Sequence, residues 1–372
     1  MIEGYNPDVN PKVSNKMSSP GAERRGDLTL KLIHARAPIR INDLGGWTDT
    51  WFAGEGRVLN LAVSPAVEVE VGVFKNKSGA KKRVTVHAEN FAETFVMDPG
   101  KPRRDRHPLL QFTIASLPVP EDVILEISLF SPVPAGISTG TSAAVCVALL
   151  GALNALASKK YSWTEIARLA HRVETEKLKQ QSGIQDQIAA AHGGISFIHM
   201  HCYPESAVRS VRVKSEIWNE LDRRLCLIYL GKPHRSSAMH DYVIAELEAG
   251  GPQLQWIRKL AGIAQEAGKY LASGDFDSYG EAMVRNNECQ RALYAGLVSK
   301  EADAVADIAR RFKASGWKVN GAGGKGGSLT VLAGGDDVLR RRMVQKINAL
   351  GKGIRIIPVS LSPRGLEAWE IK

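Results

Sequence analysis

Cysteine is scarce in this 372-residue sequence, and the four cysteines stand far apart. None belongs to a Cys-x-x-Cys pair, and their spacing matches no metal-binding pattern. No apolar run reaches the roughly 20 residues that a membrane-spanning helix needs, and the first residues lack the basic and apolar segments of a secretory signal. We therefore expect a cytoplasmic protein with reduced thiols, no cysteine-bound metal and no membrane partner.

Concentrated charge is also missing, although the net charge is +10. The basic residues are scattered, and the densest runs, within 101–106 and 340–342, are short. Aromatic and basic residues are not interleaved as on a nucleic-acid surface, so we predict no nucleic-acid function. The composition, 44% hydrophobic and 24% charged, is typical of a soluble globular protein, and the positive charge suits a small anionic ligand such as a nucleotide.

The sequence divides into a polar tail and two structured parts. Residues 1–27 are rich in Pro, Gly, Ser and Asn without apolar periodicity, which predicts a mobile tail. We expect one domain at 28–200 and another at 201–372. Alternating apolar residues predict strands at 28–41, 66–74, 82–97, 123–131 and 195–200. The second half mixes helices at about 236–247, 253–273, 278–296 and 300–315 with strands at 224–231, 317–323, 328–334 and 353–361, which is an α+β order.

A glycine- and hydroxyl-rich loop, "SPVPAGISTGTSAA", precedes a run of small apolar residues. The run stays uncharged until Lys159, which predicts a helix buried on all sides that begins near Thr141. Glycines let a backbone approach a ligand, and the N–H groups at a helix start attract anions. The loop therefore predicts a phosphate site, with Thr141 and Ser142 capping the helix or offering a hydroxyl to phosphate-bound Mg²⁺. A simple strand-to-helix turn is the alternative.

A second glycine-rich loop runs from Gly321 to Gly327 and contains a literal G-x-G-x-x-G. A strand follows it, rather than the helix that a dinucleotide-binding motif requires, and no acidic residue stands about 20 positions on. Lys325 is not followed by Ser or Thr, so the loop is not a P-loop either. We expect a backbone-lined loop that faces the substrate or the first loop; a flexible turn is the alternative.

Two carboxylates fall at chemically suggestive places on predicted helices. Asp186, in "SGIQDQIAAAHGG", projects from the flank of a semi-buried helix. Glu174 lies on the apolar line of Ile166 and Ala170, in a helix that the capping box Ser162–Glu165 starts, so it is buried with a partner or binds a cation. Carboxylates beside a nucleophilic hydroxyl serve phosphoryl transfer. The alternative for each is an exposed or salt-bridged structural residue.

The segment "RAPIRINDLGGWTDTWF" places Arg40, Trp47, Thr48 and Asp49 at the end of a predicted strand. The Asp49 carboxylate can accept two hydroxyl hydrogen bonds, and the Trp47 ring can stack on the apolar face of a sugar. The alternative is a hairpin turn in which Thr48 and Asp49 are turn or cap residues.

In this order the motifs resemble those of the GHMP kinase superfamily, named for galactokinase, homoserine kinase, mevalonate kinase and phosphomevalonate kinase. The similarity covers roughly residues 30–372. The first loop is similar to the family's P-x-x-x-G-L-G-S-S-A, with Ser138 replacing glycine, Thr139 replacing leucine and Thr141 replacing serine. The second is similar to the family's G-A-G-G-G-G, with Lys325 in place of a glycine.

The resemblance implies an α+β, two-domain GHMP kinase fold, in which a domain like ribosomal protein S5 domain 2 precedes a ferredoxin-like α/β-sandwich. It implies ATP and Mg²⁺ as cofactors, Asp186 and Arg40 as catalytic residues, and Ser142 and Glu174 as metal ligands. The ATP-binding residues implied in the same way are Pro134, Gly136, Ser138, Thr139, Gly140, Thr141, Ser142 and Ala143.

Within the superfamily, "LGGWTDT" and "GIQDQIAAAHGG" are similar to the branch of L-fucokinase and D-glycero-D-manno-heptose 7-phosphate kinase. Galactose kinases carry an acidic residue and a histidine where this chain has Gly46 and Trp47, which disfavours galactose. The branch implies phosphoryl transfer to the anomeric hydroxyl of a sugar or sugar phosphate, with His234 in the far wall and Lys232 as a phosphate anchor. The substrate-binding residues implied are Gly46, Trp47, Asp49, Arg235, Gly323 and Gly324.

Several alternatives stay open at this point. The chain could phosphorylate a non-sugar alcohol such as mevalonate or homoserine, or act as an ATP-dependent decarboxylase. It could also be a sugar or nucleotide sensor that keeps the fold without turnover. A small-molecule substrate is the expected partner, and a homodimer is left open.

Overall fold

The structure, a computed structural model, describes residues 30–234 and 238–371, so the predicted tail lies outside the described residues. Within these ranges the chain forms thirteen strands and ten α-helices. The strands are β1 (Lys31–Leu44), β2 (Gly56–Lys75), β3 (Val84–Ala88), β4 (Glu93–Met97), β5 (Val123–Phe130), β6 (Ile195–Cys202), β7 (Glu205–Ser210), β8 (Leu225–Leu230), β9 (Gly316–Val319), β10 (Ser328–Leu332), β11 (Ile354–Ile357), β12 (Ser360–Leu361) and β13 (Glu367–Ile371). The helices are α1 (Pro108–Ile114), α2 (Thr141–Asn154), α3 (Trp163–Arg172), α4 (Gln185–His192), α5 (Ser215–Arg224), α6 (Ala238–Glu248), α7 (Leu254–Ser273), α8 (Phe276–Leu293), α9 (Lys300–Arg311) and α10 (Asp337–Asn348).

The larger sheet has nine strands in the described chain and is built around two long neighbours, β1 and β2. Its main order is β13-β1-β2-β5-β3-β4, with β6 and β12 also pairing to β2, and β7 pairing to β6. Only β3 and β5, among these described pairs, run parallel. The continuous strand predicted at 82–97 is instead two strands, because a short 3-10 turn at Glu89–Phe91 reverses the chain.

The smaller sheet is antiparallel, with the order β11-β8-β10-β9. Both of its faces are buried, as the alternation of side chains along β8 shows. One face joins the main core with α7 and α8, and the other packs on α9 and α10. The β8 residues on the first face are Leu225, Leu227 and Tyr229, and those on the second are Cys226, Ile228 and Leu230.

Helix α2 is the buried helix that the apolar run predicts. Every residue from Ala143 to Asn154 except Val145 is buried, and the helix packs on β1, β2, α3 and α4. A helix without a polar face has no solvent side, so it must be covered all round. The capping box predicted at Ser162–Glu165 is confirmed at the start of α3.

The two halves of the chain interlock. Strands β12 and β13, at 360–371, pair with β2 and β1 of the larger sheet, and the β6–β7 hairpin extends that sheet past residue 200. The larger sheet therefore contains strands from both sides of the predicted boundary at residue 200. None of the helices in the described part of the chain combines the length and apolarity that a bilayer crossing requires.

Candidate active site

A cleft of about 740 Å³ opens where the end of β1, the start of α2, the segment before α4, helix α6 and the second glycine-rich loop meet. We call it the central cleft. It brings together residues far apart in the sequence, such as Arg40 and Asp186. The predicted site residues that line it are Arg40, Trp47, Asp49, Ser142, Glu174 and Asp186.

The loop before α2 leaves the first turn of that helix without a side-chain cap. The N-cap residue is Gly140, with φ of 68°, so Thr141 and Ser142 lie inside the helix and do not cap it. Ser138 has φ of 60°, in the left-handed region that favours glycine. Nη1 of Arg40 donates to the Ser138 carbonyl oxygen at 2.5 Å and holds this strained backbone. The helix start thus offers N–H donors and its positive dipole end beside the central cleft.

The other residues of the predicted ATP-binding loop support this helix start. The carbonyl oxygen of Gly136 accepts a hydrogen bond from the His234 N–H at 2.6 Å, and that of Thr139 accepts one from the backbone N–H of β1 at 3.0 Å. Ala143 is buried in the first turn of α2, and Pro134 is half-buried. Of the loop residues that the structure describes, Ser142 alone lines the central cleft.

Arg40 and Asp186 form an ion pair at the start of α2. Nε and Nη2 of Arg40 donate to the two carboxylate oxygens at 2.8 and 3.2 Å. A Cβ placed on Gly140 would lie 3.1 Å from Cγ of Asp186, so this carboxylate packs against the helix start. Burial opposes the charge of Arg40, but Asp186 and Asp43 outweigh it and raise the guanidinium pKa above its usual value. The Asp186 side chain is 26% exposed and stays reachable from the cleft.

Glu174 is a buried carboxylate without a basic partner in the described chain. It lies in a π-helical stretch, Val173–Lys177, that follows α3; such stretches are frequent at functional sites. Its carboxylate accepts a hydrogen bond from Nε2 of Gln187 at 2.6 Å and another from the Ser142 hydroxyl. Burial and the nearby charge of Asp186 raise the pKa of Glu174 to about 7. A cation close to Glu174 would lower this pKa again.

Asp49 is held between the loop after β1 and the start of α4. Its carboxylate accepts hydrogen bonds from the backbone N–H and from Nε2 of Gln185 at 3.0 and 3.3 Å. Burial, opposed by the Gln185 N–H and reinforced by the charge of Asp186, raises the pKa of Asp49 to about 6. A side chain on Gly183 would collide with this carboxylate, so glycine is required there. Asp49 lines the cleft and can accept hydrogen bonds from a ligand.

The second glycine-rich loop reaches the central cleft only through its first residues, Gly321 and Ala322. The structure corrects the assignment of Gly323 and Gly324 to the substrate. The Gly324 N–H donates to the Leu297 carbonyl oxygen at 2.7 Å, and a Cβ on Gly323 would collide with the same oxygen. These two glycines fix the loop to the segment after α8, which positions the residues before them.

Three other predicted positions lie away from the cleft or outside the described residues. Gly46 packs on Asp43, because a Cβ there would lie 2.6 Å from Oδ2 of Asp43, and it does not line the cleft. Lys232 forms an ion pair with Glu301 at 3.0 Å. Arg235 lies outside the described residues.

Aromatic rings form one wall of the central cleft. Trp47 has φ of 77° and is almost fully buried, and its ring lies close to those of Phe52 and His240. Trp51 and His234 also line the cleft. The prediction that the face of Trp47 stacks on a ligand is limited by this packing, since the exposed fraction of Trp47 is 7%.

Sequence reasoning missed three charged residues. Lys179 lines the cleft, and nothing in its sequence surroundings signals this. Asp43 and Lys318 form a fully buried ion pair, with 2.9 Å between Oδ1 and Nζ, and the same oxygen accepts the Gly321 N–H at 3.0 Å. A lysine within the short strand β9 was a usable signal, because a charge in a buried strand needs a partner.

Comparisons with known proteins agree with this architecture. The model of the GHMP kinases N terminal domain matches residues 113–194. A mevalonate kinase of Pyrococcus horikoshii is 30% identical over 66% of this chain and 69% of its own length. An L-fucokinase/L-fucose-1-P guanylyltransferase of Bacteroides fragilis is 22% identical over 95% of this chain, which spans only 40% of that relative. A solved D-glycero-D-manno-heptose 1-phosphate kinase from Bacteriodes thetaiotaomicron has a TM-score of 0.70 at 20% identity, with 91% of this chain and 99% of that chain covered.

The chain therefore belongs to the GHMP kinases. The sequence-based recognition of this family and of its two-part α+β fold is confirmed. The roles of individual site residues stay predictions.

Proposed function

We propose that this chain is an ATP-dependent small-molecule kinase that transfers the γ-phosphoryl group to a hydroxyl of a sugar or sugar phosphate, at the anomeric position. The proposal depends on the position of the Asp186 carboxylate. This carboxylate packs against the uncapped start of α2, pairs with Arg40 and stays accessible from the central cleft. A helix start that attracts phosphate and a carboxylate that can take a proton are thus adjacent.

The phosphate-binding part of the proposal rests on α2 and its loop. The N–H groups of the first turn, near Thr141 and Ser142, would bind the phosphate oxygens of ATP, because no side chain caps them. The N-cap residue, Gly140, also lets a ligand approach the backbone closely, since it has no Cβ. Arg40 would keep the loop in this conformation through the Ser138 carbonyl.

The residues present fit Mg²⁺. Mg²⁺ in kinases is held by one or two protein oxygens and by substrate phosphates, so a dedicated cluster of three acidic or histidine ligands is not needed. The described residues contain no group of three or more His, Cys, Asp or Glu side chains that could hold a metal ion. Ser142 and Glu174, which share a hydrogen bond, would hold the ion, because Glu174 is a buried carboxylate without a basic partner in the described chain. Bound there, Mg²⁺ would neutralise the charge of the transferring phosphate.

Asp186 would orient the acceptor hydroxyl and take its proton as the oxygen forms a bond to the γ-phosphorus. The bond between that phosphorus and the β,γ-bridging oxygen breaks, and ADP leaves. Arg40 would keep the Asp186 carboxylate in place through its two hydrogen bonds. Asp49 would accept a hydrogen bond from a second acceptor hydroxyl.

A sugar is favoured over mevalonate or homoserine by the lining of the acceptor side. Two carboxylates, Asp49 and Asp241, and a wall of aromatic rings line the cleft there. Aromatic rings and carboxylate hydrogen-bond acceptors suit a polyhydroxylated molecule, whereas the carboxylate of mevalonate would meet like charge. The names of the Bacteroides relatives, a fucokinase and a heptose phosphate kinase, support the same choice.

A screen of acceptors tests the proposal. We expect ADP release with ATP, Mg²⁺ and at least one of L-fucose, D-mannose and D-glycero-D-manno-heptose 7-phosphate, and a ³¹P NMR signal of an anomeric phosphate in the product. ADP release with mevalonate or homoserine alone would assign a non-sugar alcohol. Nucleotide binding without ADP release on any acceptor would identify a sensor. A cytoplasmic location, a homodimer and the two-domain division stay predictions.

A further inference from the structure

Three ring nitrogens in the aromatic wall have no hydrogen-bond partner within the part of the chain that the structure describes. They are Nε1 of Trp47, Nδ1 of His234 and Nε2 of His240. All three residues line the central cleft, and Trp47 and His240 are only 7% and 5% exposed. The ring centroids lie 5.8 Å apart for Trp47 and His240, and 4.9 Å apart for His234 and His240. Buried polar atoms are normally paired, so three unpaired ones together indicate partners from a ligand.

The protonation of these rings defines which ligand group would fit. Burial lowers the pKa of His240, although a hydrogen bond to the Gly323 backbone opposes this, so the ring is neutral. Since Nε2 is the unpaired atom, Nδ1–H donates to Gly323, and Nε2 is left as an acceptor. Burial and the nearby His240 lower the pKa of His234 to about 4, so this ring is also neutral. Trp47 Nε1 can only donate.

The wall therefore offers a donor at Trp47 and an acceptor at His240 but no positive charge. A hydroxyl group, which donates and accepts at once, satisfies such a pair. A phosphate does not, because its oxygens can pair with the donor only, and the charge of Asp241 reaches His240.

We propose that Trp47, His234 and His240 form a hydroxyl-binding wall that selects acceptors with hydroxyls away from the phosphorylated position. The end of the acceptor that meets this wall is a neutral polyol, not a phosphate. This inference rests on the proposed kinase function, whose substrate class it narrows. The three side chains determine specificity and take no part in the transfer step.

The test compares ring-conserving variants with matched controls. Trp47→Phe and His240→Phe remove the polar atoms and keep rings of similar shape, and His240→Gln returns a polar side chain. Trp163→Phe and His199→Phe change the same residue types far from the wall. The KM for each sugar of the screen and for ATP is measured from ADP release, and sugar binding is measured separately by saturation-transfer NMR with ADP and Mg²⁺. Thermal melting shows that each variant is folded.

We expect each wall variant to raise the sugar KM, or weaken sugar binding, about three- to tenfold, the effect of one hydrogen bond. The double variant Trp47→Phe/His240→Phe should bind the sugar about 10- to 100-fold more weakly than the wild type. His240→Gln should bind it more tightly than His240→Phe does. The KM for ATP and both controls should not change.

Unchanged sugar KM and binding in the wall variants, or a change in the ATP KM instead, would overturn the wall. So would a wild-type protein that binds mevalonate or homoserine but none of the sugars, or binds no acceptor at all. Sugars that bind through the wall but release no ADP would leave the wall standing and refute the kinase function.

Discussion

Strand β1 carries two ion pairs that differ in what can reach them. Arg40 pairs with Asp186 at 2.8 Å, and Asp186 remains partly exposed in the central cleft. Three residues further on, Asp43 pairs with Lys318 at 2.9 Å, and both side chains are completely buried. The first carboxylate can meet a ligand, whereas the second can only be reached by separating the two sheets. One strand thus serves both the chemistry and the joining of the sheets, and Arg40, which lies 3.9 Å from Asp43, links the two pairs.

This difference in exposure also predicts different effects of substitution at the two ion pairs. Loss of an accessible catalytic group lowers the rate and changes the fold little. Loss of one member of a buried pair leaves an unpaired charge in the core, which lowers the free energy of unfolding. Four substitutions, from the largest expected effect to the smallest, would break or sharpen this comparison.

Asp186→Ala should lower kcat about 10²- to 10⁴-fold, the usual contribution of a positioned acid or base. The free energy of unfolding should fall less than in the Lys318 variant described next, because Asp186 borders the open cleft. ADP release and urea unfolding measure the two quantities. Asp186→Asn is the matched control of similar shape and should be as slow as Ala. Full turnover by either variant would remove Asp186 from the proposed mechanism.

Lys318→Met should lower the free energy of unfolding by about 3–5 kcal/mol, because Asp43 loses its partner at 2.9 Å and keeps only Arg40, which is 3.9 Å away and already paired with Asp186. Urea unfolding checks this value. The double variant Asp43→Leu/Lys318→Met removes both charges and should regain most of the loss. It should not regain all of it, because the Gly321 N–H then lacks its acceptor. If the single and double variants are equally unstable, the pair's charge is not the cause.

Glu174→Gln should make stability less dependent on pH. The pKa of Glu174 is about 7 in the folded protein against 4.5 for an ordinary glutamate, so the folded state binds the proton more tightly. As pH rises through this window, wild-type stability should fall by about 1.4 kcal/mol per unit from this group alone. Without Mg²⁺ and nucleotide, the Gln variant should therefore be the more stable protein at pH 8 and nearly equal to wild type at pH 4.5.

Urea unfolding of both proteins at the two pH values measures this effect. Gln187→Leu, which removes a hydrogen-bond donor to Glu174, should raise the pKa further and extend the fall in stability to higher pH. An equal stability difference at pH 4.5 and pH 8 would contradict a raised pKa.

Arg36→Ala should have the smallest effect. Arg36 also lies on β1 and pairs with Glu367 of β13, but its side chain is 47% exposed. Exposed pairs contribute about 0–1 kcal/mol, so we expect a loss within that range and unchanged kcat. Urea unfolding at low and high salt checks it, since screening should weaken the remaining effect. A loss as large as that of Lys318→Met would mean that exposure does not separate these pairs.

The sequence predicted features that depend on neighbouring residues. The buried helix α2 follows from its uncharged run, and the capping box of α3 from Ser162 and Glu165. The placement of Glu174 in a buried seam was also visible from helical periodicity. Local spacing determines each of these, so no knowledge of the fold was needed.

Features that depend on residues distant in the sequence could not be predicted. The pair of Asp43 and Lys318 joins residues 275 positions apart, and the two-residue strand β12 is too short to leave a periodic pattern. The direction in which Gly323 and Gly324 face could not be predicted, because the Leu297 carbonyl that Gly323 packs against and Gly324 binds is distant in the sequence. Side-chain direction in a glycine-rich loop is set by such tertiary contacts and has no local signature.

The pairing of β1 with β13 has a consequence for protein synthesis. Residues Leu32–Arg36 gain their second neighbour only when residues 367–371 have left the ribosome, so one edge of β1 stays open during most of translation. Open strand edges invite pairing with other chains, and contacts between such distant segments form slowly. Truncated forms that contain β1 but end before β13 should therefore depend on chaperones and aggregate when these are scarce.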